Sequence, residues 1–277
     1  MFETIALLLL TGLCVGFMGA FFGIGGGVIV VAILAMIFRL PVHTAVGTSL
    51  AIVVANSIAA SGKYLSGGYA NINLTVVLGF FSALGAVAGS NISLSLPAGV
   101  IFISLGAAQL ITAGFMAKGD KLKEIFKTDA SVQEGNILNG AYFERSTGQN
   151  VCYTPKRVPL LMGMAVLAGF LSGLVGVGGA IFVIPAMNLL SGIPIKAAIP
   201  TSGFMMGFTA VSGAMVFHMN SSVDPLVVAS IVPTTFVGSI ITVRFFQRAK
   251  STKIYNAFTV FLVLLAILII CRGIASF

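Results

Sequence analysis

The chain has 277 residues, of which 58% are hydrophobic and only 8% are charged, and its formal net charge is +8. Soluble domains carry roughly 25% charged residues, so this chain has too little charge to cover a surface that faces water. Its apolar runs reach the roughly 20 residues that a helix needs to cross a bilayer, whereas strands of a β-barrel would alternate in polarity over about 10 residues. We therefore predict an all-α polytopic membrane protein of the cell membrane. Its basic residues are expected to set topology rather than to bind nucleic acid.

The first predicted helix, at residues 4–22, runs into the stretch FFGIGGGVI at Phe21–Ile29. Glycine inside a helix costs about 1 kcal/mol relative to alanine, so this glycine cluster should end the helix. The next apolar segment, 27–38, would be only about 18 Å long as a helix. A long and a short segment joined by glycines predict a helical hairpin or a re-entrant half-helix. Broken backbone inside a membrane is tolerated only beside protein or a water-filled cavity.

Three longer apolar segments follow, at 43–62, 72–93 and 97–117. The polar stretch 118–157 comes next and holds five of the seven acidic and seven of the fifteen basic residues. We predict that it is an inserted cytoplasmic loop, and turn residues within 135–142 allow a small β-hairpin there. It separates a first transmembrane repeat, 1–117, from a second one, 158–277.

The second half repeats the first at a shift of 153 positions, which carries Gly23 onto Gly176, without a gap from residue 16 to residue 92. The glycine cluster recurs as Gly176-Val177-Gly178-Gly179, and the Thr48-Ser49 pair recurs as Thr201-Ser202. A cluster that recurs at one register in both halves indicates a feature of the architecture. Each half should contain about five helical elements, those of the second half at 158–175, 180–191, 197–217, 224–246 and 254–271.

The basic residues predict that the two halves have opposite orientations in the membrane. The 118–157 loop and the loop that contains Arg248 are both rich in Lys and Arg, and both should be cytoplasmic. An even number of crossings must then separate them, which requires the segment 158–191 to turn back at its glycines. The prediction is a pair of inverted repeats with both termini outside the cell.

The sequence resembles the TauE/SafE family of membrane permeases, also called the sulfite exporter or toluene sulfonate uptake permease family. The resemblance rests on Gly16-Phe17, on the glycine cluster and on PVHTAVGTS at Pro41–Ser49. The stretch from Gly169-Phe170 to Thr201-Ser202 is similar to that family's second repeat. Only the 118–157 insert departs from the family's compact pattern. The resemblance implies transport of small anions, chiefly sulfur oxyanions and organosulfonates such as sulfite, and leaves substrate and direction open.

The glycine clusters are the first candidate binding site. A helix that begins just after such a cluster presents unpaired N–H groups and a partial positive charge, which favour anions. We predict that an oxyanion binds between the two clusters, with these glycines around it: Gly25, Gly26, Gly27, Gly178 and Gly179. The alternative is that the glycines serve only tight helix packing.

Polar side chains are expected to complete the site. Hydroxyls donate to sulfonate oxygens without the desolvation cost of a buried charge, and back-bonding to a helix carbonyl is their alternative role. The candidates are Thr48, Ser49, Thr201 and Ser202, with Asn56 as a further one. His43 and Lys196 stand just before the two Thr-Ser pairs and are candidates for anion attraction or coupling. Their alternative role is to snorkel or to set topology.

The predicted function is that of a secondary transporter. Broken helices at matching places in two inverted halves are typical of a carrier that works by alternating access, while an anion channel or a structural membrane protein remains an alternative. The apolar segments contain no cluster of His, Cys, Asp or Glu, so neither an enzyme nor a metal or cofactor is expected. Few acidic residues are present to ligate Na⁺, which favours protons as the coupling ion. The expected partners are a small anion and the lipid bilayer, and a homo-oligomer remains open.

Overall fold

The computed structural model describes residues 2–117, 137–144 and 148–275, and most of these residues are helical. Five helices form the first half: α1 Phe2–Phe22, α2 Gly27–Met36, α3 Val42–Ser66, α4 Ile72–Ser93 and α5 Ala98–Ala117. A two-stranded hairpin follows, with β1 Gly140–Glu144 and β2 Gln149–Tyr153. The second half contains α6 Val158–Val175, α7 Ala180–Pro185 with a π-helical continuation Ala186–Leu190, α8 Ile195–Met219, α9 Pro225–Arg248 and α10 Ser251–Ala275.

The prediction of an all-α polytopic membrane protein is confirmed. Within the described ranges, five helices are long and apolar enough to cross a bilayer: α3, α4, α6, α8 and α9. Their outer faces keep large apolar side chains exposed, such as Phe80 at 62% and Leu167 at 59%. Lipid covers such side chains in a bilayer, so the protein is a multi-pass protein of the cell membrane.

The helices of the two halves correspond one to one at the shift of 153 positions. Four pairs of counterpart helices begin at residues that differ by this number: α2 and α7 at Gly27 and Ala180, α3 and α8 at Val42 and Ile195, α4 and α9 at Ile72 and Pro225, and α5 and α10 at Ala98 and Ser251. The helix packing is also equivalent in the two halves, because α1 lies along α9 and its counterpart α6 lies along α4. The two halves are therefore interlocked by equivalent contacts. Their opposite orientation in the membrane stays a prediction.

Glycines allow the interlocked helices to approach closely. A Cβ atom at Gly16 would overlap the Thr235 carbonyl oxygen of α9, and one at Gly169 would overlap the Ser82 carbonyl oxygen of α4. Gly169 and Thr235 are the counterparts of Gly16 and Ser82, so the same contact is made twice. Small residues at helix interfaces serve this purpose in membranes, and these two glycines are packing positions.

The insert contains the hairpin that the sequence allowed, but at a different place. Its strands pair Gly140 with Tyr153 and Glu144 with Gln149, so the chain reverses after Glu144 and not within 135–142. The reason is that Tyr142 and Tyr153 are both buried against the helices. To bury both side chains, the strands lie further along the chain than the predicted segment. Residues 118–136 of the predicted loop lie outside the described ones.

Hydrogen bonds fix the hairpin to the helices. The Tyr69 hydroxyl donates to the Phe143 carbonyl oxygen over 3.1 Å, and Asn71 Nδ2 donates to the Leu138 carbonyl oxygen over 2.8 Å. Burial raises the pKa of Tyr153 to about 12, so this side chain is neutral. The hairpin end of the bundle consists of the α3–α4 loop, residues 67–71, together with the first turns of α8 and α10.

Cys152 is exposed in the hairpin and tests the predicted orientation. In a variant with Cys14→Ser and Cys271→Ser, a membrane-impermeant maleimide is expected to label Cys152 in inverted vesicles and not in intact cells, because Lys/Arg-rich loops stay cytoplasmic. A cysteine at the exposed Ser95, in the α4–α5 loop at the other end, should show the opposite pattern. Labelling of Cys152 in intact cells would refute this topology.

Candidate functional site

The two glycine turns meet at the centre of the bundle. A Cβ atom at Gly27 would overlap the Gly176 carbonyl oxygen, so the start of α2 touches the second turn directly. Two side chains, one from each half, fill the remaining space and contact both Gly25 and Gly178: Val53 and Met206. These two residues are also counterparts at the 153-residue shift. The structure thus brings together the glycines that the sequence singled out.

The conformation of each turn requires glycine. Three glycines in each turn have φ between 55° and 83°, namely Gly23, Gly25, Gly26, Gly176, Gly178 and Gly179. This left-handed region is easily reached only by glycine. α2 starts directly after its turn, and its N-cap Gly26 offers no side-chain hydrogen bond. In the first turn of α2, the Ile29 and Val30 N–H groups donate to the Gly26 carbonyl oxygen over 3.0 and 3.1 Å. The N–H groups of Gly27 and Val28, at the very start, have no partner within the helix, and the positive end of its dipole lies at the centre.

A cavity of about 10 Å³ lies beside the first glycine turn, with Asn56 in its wall. Asn56 is only 1% exposed. Its Oδ1 accepts a hydrogen bond from Ser239 Oγ, whereas its Nδ2 has no hydrogen-bond partner among the described residues. An unsatisfied buried donor costs about 1–3 kcal/mol. The cavity surface itself is apolar in this conformation, so the amide would have to turn toward the cavity to donate to a bound acceptor.

Aromatic side chains separate this cavity from the hairpin end. Tyr64 also lines the cavity, and its hydroxyl donates to the Ala20 carbonyl oxygen over 2.9 Å. Its ring packs edge-on against Phe246, with 5.2 Å between ring centroids. Phe246 contacts Tyr69 in turn, and Tyr69 contacts Tyr142 of the hairpin. A row of aromatic side chains thus lies between the cavity and the hairpin.

The two predicted serines lie at the glycine turns, each at the turn of the other half. Ser49 Oγ donates to the Gly176 carbonyl oxygen over 2.7 Å, and Ser202 Oγ is 3.4 Å from the Gly23 carbonyl oxygen. Both residues and both acceptors correspond at the 153-residue shift, so these are reciprocal hydrogen bonds. Each hydroxyl also lies 2.9 Å from a carbonyl oxygen of its own helix, that of Val46 for Ser49 and that of Ile199 for Ser202. Each has one proton, so Ser49 is placed nearer to the opposite turn, whereas Ser202 is placed nearer to its own helix, as in the back-bonding alternative.

The two predicted threonines lie elsewhere. Thr48 Oγ1 accepts a hydrogen bond from the Asp224 N–H over 2.9 Å, and Thr201 Oγ1 accepts one from the Asn71 N–H over 3.0 Å. Asp224 and Asn71 are the N-caps of α9 and α4. The structure does not bring the threonine side chains to the glycine turns. They form a second reciprocal pair, which ties the start of the fourth helix in each half to the third helix of the other.

Lys196 and His43 occupy equivalent positions but have different surroundings. Lys196 is fully buried and forms an ion pair with Glu144 of the hairpin, whose second oxygen accepts a hydrogen bond from Ser251 over 3.1 Å. Lys196 therefore does not snorkel. His43 is half-buried, and its Nδ1 has no hydrogen-bond partner in the described part of the chain. Neither side chain is among those lining the cavity beside Asn56.

The fold and its centre define a multi-pass helical membrane protein built around broken helices, an arrangement found in membrane transporters. The chain belongs to the sulfite exporter TauE/SafE family, whose sequence model matches residues 8–269. It is 25% identical to the probable membrane transporter protein YunE of Bacillus subtilis, over 98% of both chains. It is 30% identical to the probable membrane transporter protein MJ0441 of Methanocaldococcus jannaschii, over 75% of this chain and 70% of that protein. No solved structure matches the chain.

These matches confirm the resemblance that the glycine clusters and the Pro41–Ser49 stretch indicated, and they place the chain among membrane transporters. In the ranges that the structure describes, no group of three His, Cys, Asp or Glu side chains could hold a metal ion.

Proposed function

We propose that the protein is a secondary carrier of small oxyanions, with sulfur oxyanions or organosulfonates as the substrate class. The observation that carries this proposal is the unpartnered, buried amide of Asn56 in a cavity beside the first glycine turn. The family description names sulfite export, and several relatives are named as probable transporters. These names support a transported substrate and leave its identity to experiment.

The proposed site offers hydrogen-bond donors and no fixed charge. Its donors are Asn56 Nδ2 and the N–H groups of Gly27 and Val28 at the start of α2. Sulfonate and sulfite oxygens accept hydrogen bonds, and a helix start favours negative charge. A site without a buried cation also avoids an unpaired charge when the substrate leaves. This donor set suits an anion that must be released again.

The cavity has to widen before an oxyanion can enter. Its volume of about 10 Å³ is room for about one water molecule. Met206 forms one wall, and its unbranched side chain adapts easily to a new shape. Tyr64 forms another wall and would have to release the Ala20 carbonyl oxygen to open a path toward the hairpin end. The structure described here therefore corresponds, in this proposal, to a closed state.

The reciprocal hydrogen bonds suggest how the two halves would exchange roles. Alternating access by exchange requires equivalent contacts that are tight in one half while they are loose in the other. The Ser49 hydrogen bond to Gly176 is 2.7 Å long, whereas the Ser202 contact with Gly23 is 3.4 Å long. We therefore propose that Ser49 and Ser202 belong to the site. Each would hold the glycine turn of the opposite half while the other serine is released from its turn. Thr48 and Thr201 would brace the surrounding helices.

Transport itself can be tested with purified protein in liposomes. We expect labelled sulfite, thiosulfate, sulfate or a small sulfonate to accumulate without ATP when a pH gradient is imposed, and an uncoupler to abolish the accumulation. Dependence on Na⁺ with indifference to pH would change only the coupling ion. Flux that never saturates and conducts ohmically would identify a channel, and accumulation after every ion gradient has collapsed would exclude a secondary carrier.

The role of Asn56 can be tested with Asn56→Leu. Losing a hydrogen bond to a charged group costs roughly 1.5–3 kcal/mol, so the substrate concentration for half-maximal uptake should rise by roughly tenfold or more. Asn91→Leu is the control, since Asn91 is exposed on α4 and donates only to its own helix. Equal substrate affinity in Asn56→Leu and in the unmodified protein would reject the amide as a ligand.

A further inference from the structure

A groove of about 670 Å³ opens between the last turns of α3 and α9, beside the hairpin end of the bundle. It is separate from the candidate transport site, since no residue lines both. Its polar lining contains three cations and two neutral groups: Lys63, Arg244, Arg248, Ser66 and Gln247. Three of the fifteen Lys and Arg residues of the chain therefore line a single groove.

No carboxylate neutralises these cations among the described residues. Glu144 is paired with Lys196. Asp224 caps the start of α9, at the other end of that helix. The three cations are exposed side chains, and the groove has an uncompensated positive potential that attracts anions.

One wall of the groove is apolar and faces the bilayer. Ile240, Ile241 and Phe245 belong to this wall, and they are 38%, 42% and 60% exposed. They stand on α9, a helix long and apolar enough to cross a membrane. The groove therefore combines cations at the end of the helix with an apolar surface that continues toward the middle of the bilayer.

We infer that this groove binds an anionic phospholipid, with the head-group phosphate between Lys63, Arg244 and Arg248 and the acyl chains along α9. A free anion would use the cations but would have no use for the exposed apolar wall. Basic pockets between transmembrane helices at a cytoplasmic face bind anionic head groups in this manner. Cations also favour helix C-termini on their own account, but that role requires neither a shared groove nor an apolar wall. The inference does not depend on the proposed transport activity.

The test is lipid binding to the purified, delipidated protein in neutral detergent, followed by native mass spectrometry with phosphatidylglycerol or phosphatidylcholine. The variants are Lys63→Gln, Arg244→Gln, Arg248→Gln and the combination of all three. The matched control combines Lys250→Gln and Lys253→Gln, two exposed lysines close in sequence that are not among the residues lining the groove. Melting curves in phosphatidylcholine check that each variant is folded.

We expect phosphatidylglycerol to bind more tightly than phosphatidylcholine, with affinity falling about fivefold for each groove charge removed and roughly 100-fold for the triple variant. The control should keep its affinity within about twofold. The single variants carry the test if the triple variant does not fold. Equal binding of both lipids, or an equal loss in control and groove variants, would overturn the inference. Displacement of phosphatidylglycerol by millimolar glycerol phosphate would assign the groove to a soluble anion and overturn it as well.

Discussion

Replacing Lys196 by Met is expected to release the β-hairpin from the bundle and to raise amide hydrogen exchange in β1 and β2 by 100-fold or more. Lys196 is fully buried and the side chain of Glu144 is 6% exposed, so the substitution removes the buried lysine that pairs with this carboxylate. Breaking a buried pair in this way costs about 3–5 kcal/mol, and every 1.4 kcal/mol is tenfold in an equilibrium. The effect should be local, because an isolated two-stranded hairpin is barely stable once it has left the helices.

The double variant Glu144→Leu with Lys196→Met separates the pair from the fold around it. An apolar pair of similar volume buries no charge, so it should restore most of the protection from exchange. Lys250→Met is the control, because it removes the charge of an exposed lysine, and it should alter exchange by no more than about twofold. Unchanged protection in Lys196→Met alone would show that the ion pair does not hold the hairpin.

The helical architecture could be predicted from the sequence because the same pattern of apolar segments and glycines occurs in both halves. Glycine reaches the left-handed φ region easily, as at Gly25 and Gly178, so the two glycine clusters marked the places where the helices break. The ungapped repeat then predicted which elements correspond, and the helix bounds follow it. The hairpin was placed less well, because its register depends on burying Tyr142 and Tyr153, a tertiary effect that local turn residues do not encode.

Only some residues of the candidate site could be named from the sequence, because the duplication was the main signal for them. Duplication singled out the Thr-Ser pairs, which the structure places in contacts between the halves. It could not distinguish ligands from such contacts, since a reciprocal contact is also duplicated. Glu144 had no such signal, because its partner Lys196 is 52 residues away and no spacing rule connects them. Tyr64 and Met206 were missed as cavity residues, since an aromatic or a methionine on a buried helix usually serves the core.

Gly27→Ala is expected to lower the free energy of unfolding by about 1–3 kcal/mol, the usual effect of forcing extra volume into a packed core. The added methyl group would overlap the Gly176 carbonyl oxygen and would lie 3.1 Å from the Val177 Cα atom. Both are backbone atoms of the second glycine turn, so no side chain can rotate to make room. Gly27 lies in the α-helix that it begins, so the substitution adds no strain in φ. The expected effect therefore reports the contact between the two turns.

The measurement is thermal unfolding in one detergent together with uptake of labelled sulfite in liposomes. Gly62→Ala is the matched control, because Gly62 lies within α3 and a Cβ atom there would meet nothing within 4 Å. Alanine favours helix over glycine by up to about 1 kcal/mol, so the control should be as stable as the unmodified protein or more so. If the turns form the centre of the exchange between halves, uptake by Gly27→Ala should fall by about tenfold or more while Gly62→Ala transports normally, since a shift of 1.4 kcal/mol in the closed state is tenfold in its population. A Gly27→Ala protein that melts and transports like the unmodified one would show that the turns do not need this contact. The counterpart of Gly27 is Ala180, which already carries the methyl group. In the exchange that we propose, the second turn would therefore approach the first less closely, and the two closed states should differ in stability.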